Sequence, residues 1–467
     1  MGKQKVGVIG LAVMGKNLAL NIAEHGFAVS VYNRSAEKTQ ELLKESKIEN
    51  LVGTFNMQEF VDSLETPRKI IMMVKAGNPV DDTIQQLIPL LDEGDIVMDG
   101  GNSFFKDTIR RNAELKKKSI HFMGIGISGG EEGARNGPAI MPGGDFDTYK
   151  HIEPILNSIS AKVDDEPCCT YIGDNGAGHF VKMVHNGIEY ADMQLICESY
   201  FILKNMLHLT PPQLHDIFSD WNEGELNSYL IEITSEIFTK QDDKAEGYLV
   251  DKILDVAGQK GTGKWTSQVA LDMGIAIPTI TEAVFERCLS AVKEERVFAS
   301  HAIKIEIPQI HIENEAELIE SIRRALYASK ICAYAQGFSL MREASNEYEW
   351  NLQLGEISKI FRGGCIIRAQ FLNKIKEAYQ KDAKLANLML DDYFQDILGK
   401  YQKDWRKVVS MAIEAGIAIP GFSSAISYFD GYRTLELPMN LLQAQRDYFG
   451  AHTYQRTDIE GTFHTNW

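Results

Sequence analysis

The sequence predicts a parallel, doubly wound α/β domain over residues 1–178, followed by a large all-α domain. Three observations carry this reading. Short apolar runs alternate with amphipathic stretches in the first part, which is the rhythm of strand, helix, strand. Glycine-rich or polar turns stand where those runs end. After residue 178 the pattern changes to long helical periods with few strand signals.

The apolar runs are VGVIG (6–10), AVSVYN (28–33), KIIMMVK (69–75), DIVMDGG (95–101) and IHFMGIG (120–126), separated by helical stretches such as KNLALNIAEHG and VDDTIQQLIPLLDEG. In such a sheet, ligands bind at the carboxyl ends of the strands. GLAVMG (Gly10, Leu11, Ala12, Val13, Met14, Gly15) follows the first run and opens a helix, with Ala12 where the usual dinucleotide fingerprint has its second glycine. A plain strand-to-helix turn is the alternative. The preceding strand, the following helix and a second strand about 20 residues on favour a pyrophosphate held by the helix N-terminus. The second run ends in Asn33, Arg34 and Ser35, with no acid to take the ribose hydroxyls of NAD. A guanidinium beside a hydroxyl suits a 2′-phosphate, so NADP is the expected cofactor, against the alternative of a solvated surface arginine.

The helix through HFVKMVHNGIEY (179–190) carries Lys182, His185, Asn186, Glu189 and Tyr190 at i, i+3, i+4, i+7 and i+8, all on one face. An internal comparison separates function from packing here. DMGIAIPTITEAVFE (272–286) resembles EAGIAIPGFSSAISY (414–428) at an offset of 142, which suggests a duplicated helical unit, about 179–320 and 321–433, with a tail over 434–467. At the matching positions of the second copy stand Arg324, Tyr327, Ala328, Ile331 and Cys332, so the apolar frame persists while the polar stripe is lost. A face kept merely wet would stay polar along its length, yet Met193, Ile196 and Cys197 continue it. The stripe is therefore expected to wall an active site.

Composition narrows the partners. The chain has 467 residues, 44% hydrophobic and 24% charged, as in ordinary globular proteins. A net charge of -17 argues against nucleic acid or an acidic membrane, so an anionic substrate needs a local cluster of cations. Six cysteines without framework spacing, and no leader or long apolar span, suggest a reducing, cytoplasmic setting. No His/carboxylate cluster suggests a metal. GQKGTGK (258–264) fits the phosphate loop of nucleotide hydrolases, but Trp265 stands where Ser or Thr would bind magnesium and the preceding stretch reads as helix. A non-catalytic dinucleotide-binding protein is a further alternative, one with no need of a Lys–Glu stripe.

GLAVMG, NRS, VKAG, GGNS, SGGEEGAR, KMVHNGIEY and GQKGTGKWT together, in order from residue 5 to the tail, resemble the decarboxylating 6-phosphogluconate dehydrogenases, within the β-hydroxyacid dehydrogenase superfamily. The resemblance implies a Rossmann-type NADP domain, a helical domain for substrate and dimerisation, and oxidation of 6-phosphogluconate to ribulose 5-phosphate and CO2 in the pentose phosphate pathway. Another β-hydroxyacid dehydrogenase is the alternative, disfavoured by the phosphate-binding set. By the same resemblance Lys182 is the general base and Glu189 the general acid. Substrate falls to Asn102, Ser128, Gly129, Gly130, His185, Asn186, Tyr190, Lys260, Thr262, Arg287, Arg446 and His452. The cofactor falls to residues 10–15, Asn33, Arg34, Ser35, Val74, Lys75, Ala76, Gly77 and Asn102. The tail, bearing Arg446 and His452, is expected to cross to the partner subunit's site in a homodimer.

Overall fold

The computed structural model describes residues 2–308 and 310–467. Seven short strands form one sheet: β1 (Val6–Ile9), β2 (Val29–Tyr32), β3 (Leu51–Thr54), β4 (Lys69–Met72), β5 (Ile96–Asp99), β6 (His121–Ile127) and β7 (Ile140–Gly143). Their order is β3-β2-β1-β4-β5-β6-β7, with β1 to β6 parallel and β7 antiparallel to β6. The five apolar runs all became strands. The Val, Ile and Met residues of these strands are buried because helices cover both faces, as such continuous runs require. The order reverses between β1 and β4, and the crevice at that switch point lies beyond their carboxyl ends.

Two strands had escaped the pattern. LVGT (β3) is only four residues long and includes a glycine. IMPG (β7) contains Pro142, which has no N–H to give; it sits at the sheet's edge, where its carbonyl accepts from Ile172 at 2.9 Å. The 168–173 stretch thus shields that edge.

The first long helix, Ala177–Met206, leans directly on β6 and β7. Contact is made backbone to backbone. A Cβ on Gly178 would lie 2.3 Å from the Met141 carbonyl oxygen and 2.4 Å from that of Gly124; one on Gly126 would lie 2.5 Å from the Lys182 Cβ. This approach sets Lys182 against β6, two residues before the strand gives way to Ser128.

The second long helix, Glu315–Glu347, packs on the first and on Asp392–Glu414. The two Gly-Ile-Ala-Ile-Pro segments make the same turn. Gly274 and Gly416 have φ of 68° and 65°, and Pro278 and Pro420 each open a helix, Pro278–Ala291 and Pro420–Tyr432. Each of these helices is capped from the opposite copy. Gln336 accepts the Thr279 N–H at 3.0 Å, and Glu198 accepts those of Gly421 at 2.7 Å and Phe422 at 2.9 Å. Between the long helices, Asp192 and Lys330 form a fully buried ion pair at 2.9 Å.

The tail begins with the helix Met439–Gly450. Buried Asp447 organises the remainder of the tail, accepting from the backbone of Thr453 and Thr465, from His464 and from Trp467. Among the described residues, every hydrogen bond of residues 439–467 stays within the tail.

A Gly126→Ala variant should lose about 1–3 kcal/mol of stability, the usual range for overpacking a tight contact. Gly399→Ala, in the open on the helix Asp392–Glu414, should be neutral or stabilising. Urea unfolding of the two variants measures this. Equal stabilities would show that the helix does not depend on its approach to β6.

Candidate active site

At the carboxyl end of β1, Gly10 takes φ of 94°, and a Cβ there would lie 2.5 Å from the Met73 carbonyl oxygen. A Cβ on Gly15 would lie 1.9 Å from the Gly10 carbonyl oxygen, so only glycine lets the helix Val13–Glu24 start so close to the strand. Ala12 is extended at its N-cap, and no side chain caps the helix. The first N–H groups, around Val13 and Met14, are left for an anion. Asn33 ties the turn to β2: its Oδ1 accepts the Leu11 N–H at 2.9 Å and its Nδ2 donates to the Ser35 carbonyl at 3.1 Å. Arg34 is exposed and has no ion-pair partner among the described residues. This cradle fits a dinucleotide with an extra phosphate at its adenosine end.

The ends of β4 and β5 form the next part of the crevice. Lys75 and Asn102 are exposed there, and Gly77, at φ of 90°, precedes the helix Asn78–Leu87. A Cβ on Gly101 would lie 3.0 Å from the Val74 carbonyl oxygen, so the turn carrying Ala76 and the turn carrying Asn102 touch.

After β6 come Ser128, Gly129 and Gly130. Ser128 is buried and its Oγ has no hydrogen-bond partner, an orphaned hydroxyl that a bound polar group would satisfy. Gly129 and Gly130 have φ of 110° and 62°.

Facing this turn is the polar stripe of the first long helix. The stripe is not a wet surface: Lys182, His185 and Tyr190 are all buried. The Lys182 Nζ lies 3.5 Å from the His185 Nδ1, which is 3.0 Å from the Asn186 Oδ1; Asn186 Nδ2 donates to the Thr262 Oγ1 at 3.0 Å. Glu189 approaches His185 to 4.0 Å. The Arg287 guanidinium carbon lies over the Tyr190 ring, 3.3 Å from its centroid. Lys260 is exposed in the 258–261 turn before the helix Thr262–Asp272, and no strand precedes that turn, unlike a nucleotide-hydrolase phosphate loop. Arg446 and His452 are not brought to the stripe within one chain. They stand exposed on the tail, Arg446 donating only to Gln443.

Burial sets the protonation of the stripe. Desolvation lowers the Lys182 pKa, with the Glu189 carboxylate opposing it. Desolvation raises that of Glu189, against the pull of Lys182 and Arg287. His185 falls well below its ordinary value, through burial and then the neighbouring Lys182. Burial thus pushes each group toward its neutral form, while the attraction between the two charged forms opposes that push.

One segment of the site went unread in the sequence. FRGGC (361–365), from the second copy, closes over the stripe. Phe361 meets the His185 ring edge-on at 5.0 Å, and a Cβ on Gly129 would lie 2.6 Å from the Gly364 carbonyl oxygen. Its adjacent glycines were the available signal, but nothing local tied them to a helix some 180 residues earlier.

A dinucleotide cradle whose strand ends meet a buried lysine defines a nucleotide-dependent dehydrogenase. Comparison with known proteins names it more closely. Residues 5–173 match the NAD binding domain of 6-phosphogluconate dehydrogenase, and residues 178–467 match the C-terminal domain of 6-phosphogluconate dehydrogenase. The NADP(+)-dependent, decarboxylating 6-phosphogluconate dehydrogenase of Bacillus subtilis (strain 168) is 62% identical over 467 residues, covering 100% of both chains. The decarboxylating enzyme of Escherichia coli is 58% identical over 469 residues, again with 100% of each chain covered. The Plasmodium falciparum 6-phosphogluconate dehydrogenase, solved in its apo form, with its cofactor NADP+ and with its substrate 6-phosphogluconate, superposes with a TM-score of 0.96 at 47% identity, over 99% of this chain and 100% of that one. The chain belongs to the 6-phosphogluconate dehydrogenase family.

Because the Glu189 carboxylate holds the Lys182 pKa up against burial, Glu189→Gln should lower it further. A 15N titration of the Lys182 Nζ in both proteins reads this directly. An unchanged or higher value would mean that the two groups are not coupled.

Proposed function

We propose that this chain oxidises 6-phospho-D-gluconate at C3 with NADP and decarboxylates the product to D-ribulose 5-phosphate and CO2. The observation that carries the reading is the buried Lys182, its pKa lowered, set beside the Ser128-Gly129-Gly130 turn and on the same helix face as a carboxyl whose pKa is raised. Family membership over the whole length supports it.

NADP, when bound along the strand ends, supplies the oxidant. Lys182, as the free amine, takes the C3 hydroxyl proton while C3 is oxidised. The resulting ammonium then faces the 3-keto oxygen, and it stabilises and protonates the enolate as the C1 carboxylate leaves as CO2. Glu189, two turns along the helix, delivers a proton to the former C2 of the enediol, which becomes C1 of ribulose 5-phosphate. Ser128 and the backbone of Gly129 and Gly130 hold the carboxylate end, and Asn102 and Asn186 line the path of the reacting carbons. At the other end Tyr190, Lys260, Thr262 and Arg287 receive the phosphate, giving an acidic protein its local cation cluster.

The site is completed in a homodimer by Arg446 and His452 of the partner's tail. A tail whose residues 439–467, among the described residues, hydrogen-bond only to one another, with Leu435 97%, Phe449 71% and Tyr448 70% exposed, is built to lie on another surface. The body offers such a surface in Leu271, Phe298 and Ile305, each more than 70% exposed. A cytoplasmic setting, where thiols stay reduced, suits six free cysteines. Among the described residues, no helix is long and apolar enough to cross a membrane.

Supplying 6-phosphogluconate and NADP should yield NADPH and CO2 together; NADPH alone would indicate a simple hydroxyacid dehydrogenase. Lys182→Met should abolish turnover with NADP binding nearly intact. With Glu189→Gln only the need for a neutral amine remains, so kcat/KM should rise with pH to a plateau. A persistent alkaline fall would exclude Glu189 as the acid.

For the cofactor, Arg34→Ala should weaken NADP by about 1.5–3 kcal/mol, typical of a charged hydrogen bond, and leave NAD almost unchanged. Equal losses would remove Arg34 from the 2′-phosphate.

Mixing inactive Arg446→Ala and Lys182→Met proteins should regenerate activity, because a hybrid dimer has one wholly wild-type site. Silence despite demonstrated subunit exchange would rule out the crossing tail.

A further inference from the structure

Arg111 lies on the helix Phe105–Lys116, behind the crevice, and is 1% exposed. Its guanidinium reaches three groups. The Nε and Nη2 grip the Asp81 carboxylate at 2.9 Å and 2.7 Å, and Nη2 also donates to the Gly77 carbonyl at 3.1 Å. The Nη1 stands 3.7 Å from the Asp99 carboxylate, which is itself fully buried. Asp99 in turn accepts the Gly101 N–H at 3.0 Å and the Ser103 hydroxyl at 2.6 Å. One buried cation therefore joins the turn after β4 to the turn after β5. Hydrogen bonds from Arg111, and to a lesser degree from Arg110, hold the Asp81 carboxyl down at about 2, so it stays ionised across the working range.

A buried arginine is costly to desolvate and persists where its fork fixes geometry. Here it joins loops that otherwise meet through little more than the close approach of Gly101 to the Val74 carbonyl oxygen. The same helix makes a second tie: the Thr108 Oγ1 lies 2.7 Å from the Nδ1 of buried His179, one turn before Lys182. Helix Phe105–Lys116 thus registers the cofactor turns against the catalytic helix.

We propose that Arg111 is a positioning residue for the oxidation step, clamping the 74–77 and 100–103 turns into one surface against which the nicotinamide half of the cofactor rests. This rests on the reading of Lys75, Ala76, Gly77 and Asn102 as the nicotinamide side. The adenosine half, held at the 10–15 turn and Arg34, does not depend on the clamp.

The test compares NADP with 2′,5′-ADP, which carries only the adenosine half, by calorimetry on the full-length protein. Arg111→Met should weaken NADP by about tenfold or more and lower kcat, the usual scale for losing a residue that orients a binding group. Affinity for 2′,5′-ADP should not move. Arg111→Lys, which keeps the charge but not the fork, should fall between, and it carries the same test if the methionine variant does not fold. Equal weakening of both ligands would overturn the proposal, as would unchanged NADP binding and kcat. Asn102→Ala separates the two readings. If it weakens NADP while Arg111→Met does not, the clamp is wrong and the nicotinamide side stands. If neither matters, the nicotinamide assignment fails and takes the clamp with it.

Discussion

The structure depends on one close approach, that of the first long helix to the backbone of β6 and β7. Gly124, Gly126 and Gly178 leave no room for a side chain between them, so the helix cannot slide or roll without meeting carbonyl oxygens. That contact joins a sheet that holds a dinucleotide to a helix that holds an amine, and it does so with backbone atoms. The same approach excludes water from Lys182, which is why its pKa falls. Geometry and electrostatics thus have one cause.

The two helical copies share a frame but not a burden. The first copy carries Lys182, His185, Glu189 and Tyr190; in corresponding places the second has Arg324, held in an ion pair by Asp404, and the buried Tyr327, Ile331 and Cys332. The second copy serves the site differently, by sending FRGGC over the stripe and by offering Lys330 to Asp192. Breaking that buried pair on one side would cost about 3–5 kcal/mol, so it binds the long helices in a single register. Burial raises the Glu189 pKa, Lys182 and Arg287 oppose it, and Asp192 adds a smaller push upward.

Much of this was legible in the residues. The five apolar runs, the glycine turn and the i, i+3, i+4, i+7 stripe are local signals, and local periodicity reports local structure faithfully. The offset of 142 marks the matching turns at Gly274 and Gly416 in the sequence itself. What stayed hidden was nonlocal. LVGT is too short to show a period, and IMPG carries a proline that argues against a strand unless its place at an edge is known. Arg111 reads as one more helical charge in FKDTIRRNAELK; Arg110 beside it also pairs with Asp81, and only burial and the reach to the Gly77 carbonyl and Asp99 distinguish Arg111. The contact of Arg287 with the Tyr190 ring was likewise a matter of tertiary placement.

The exchange of helix caps has a consequence for how such a chain can be divided. Gln336 of the second copy finishes the helix Pro278–Ala291 of the first, and Glu198 of the first finishes Pro420–Tyr432 of the second. A cut at the boundary between copies would strip each half of a cap and leave a lone charge in each interior. Neither half is then a module that could be transplanted, swapped or shed. Reciprocal capping makes two similar stretches of sequence one indivisible folding unit.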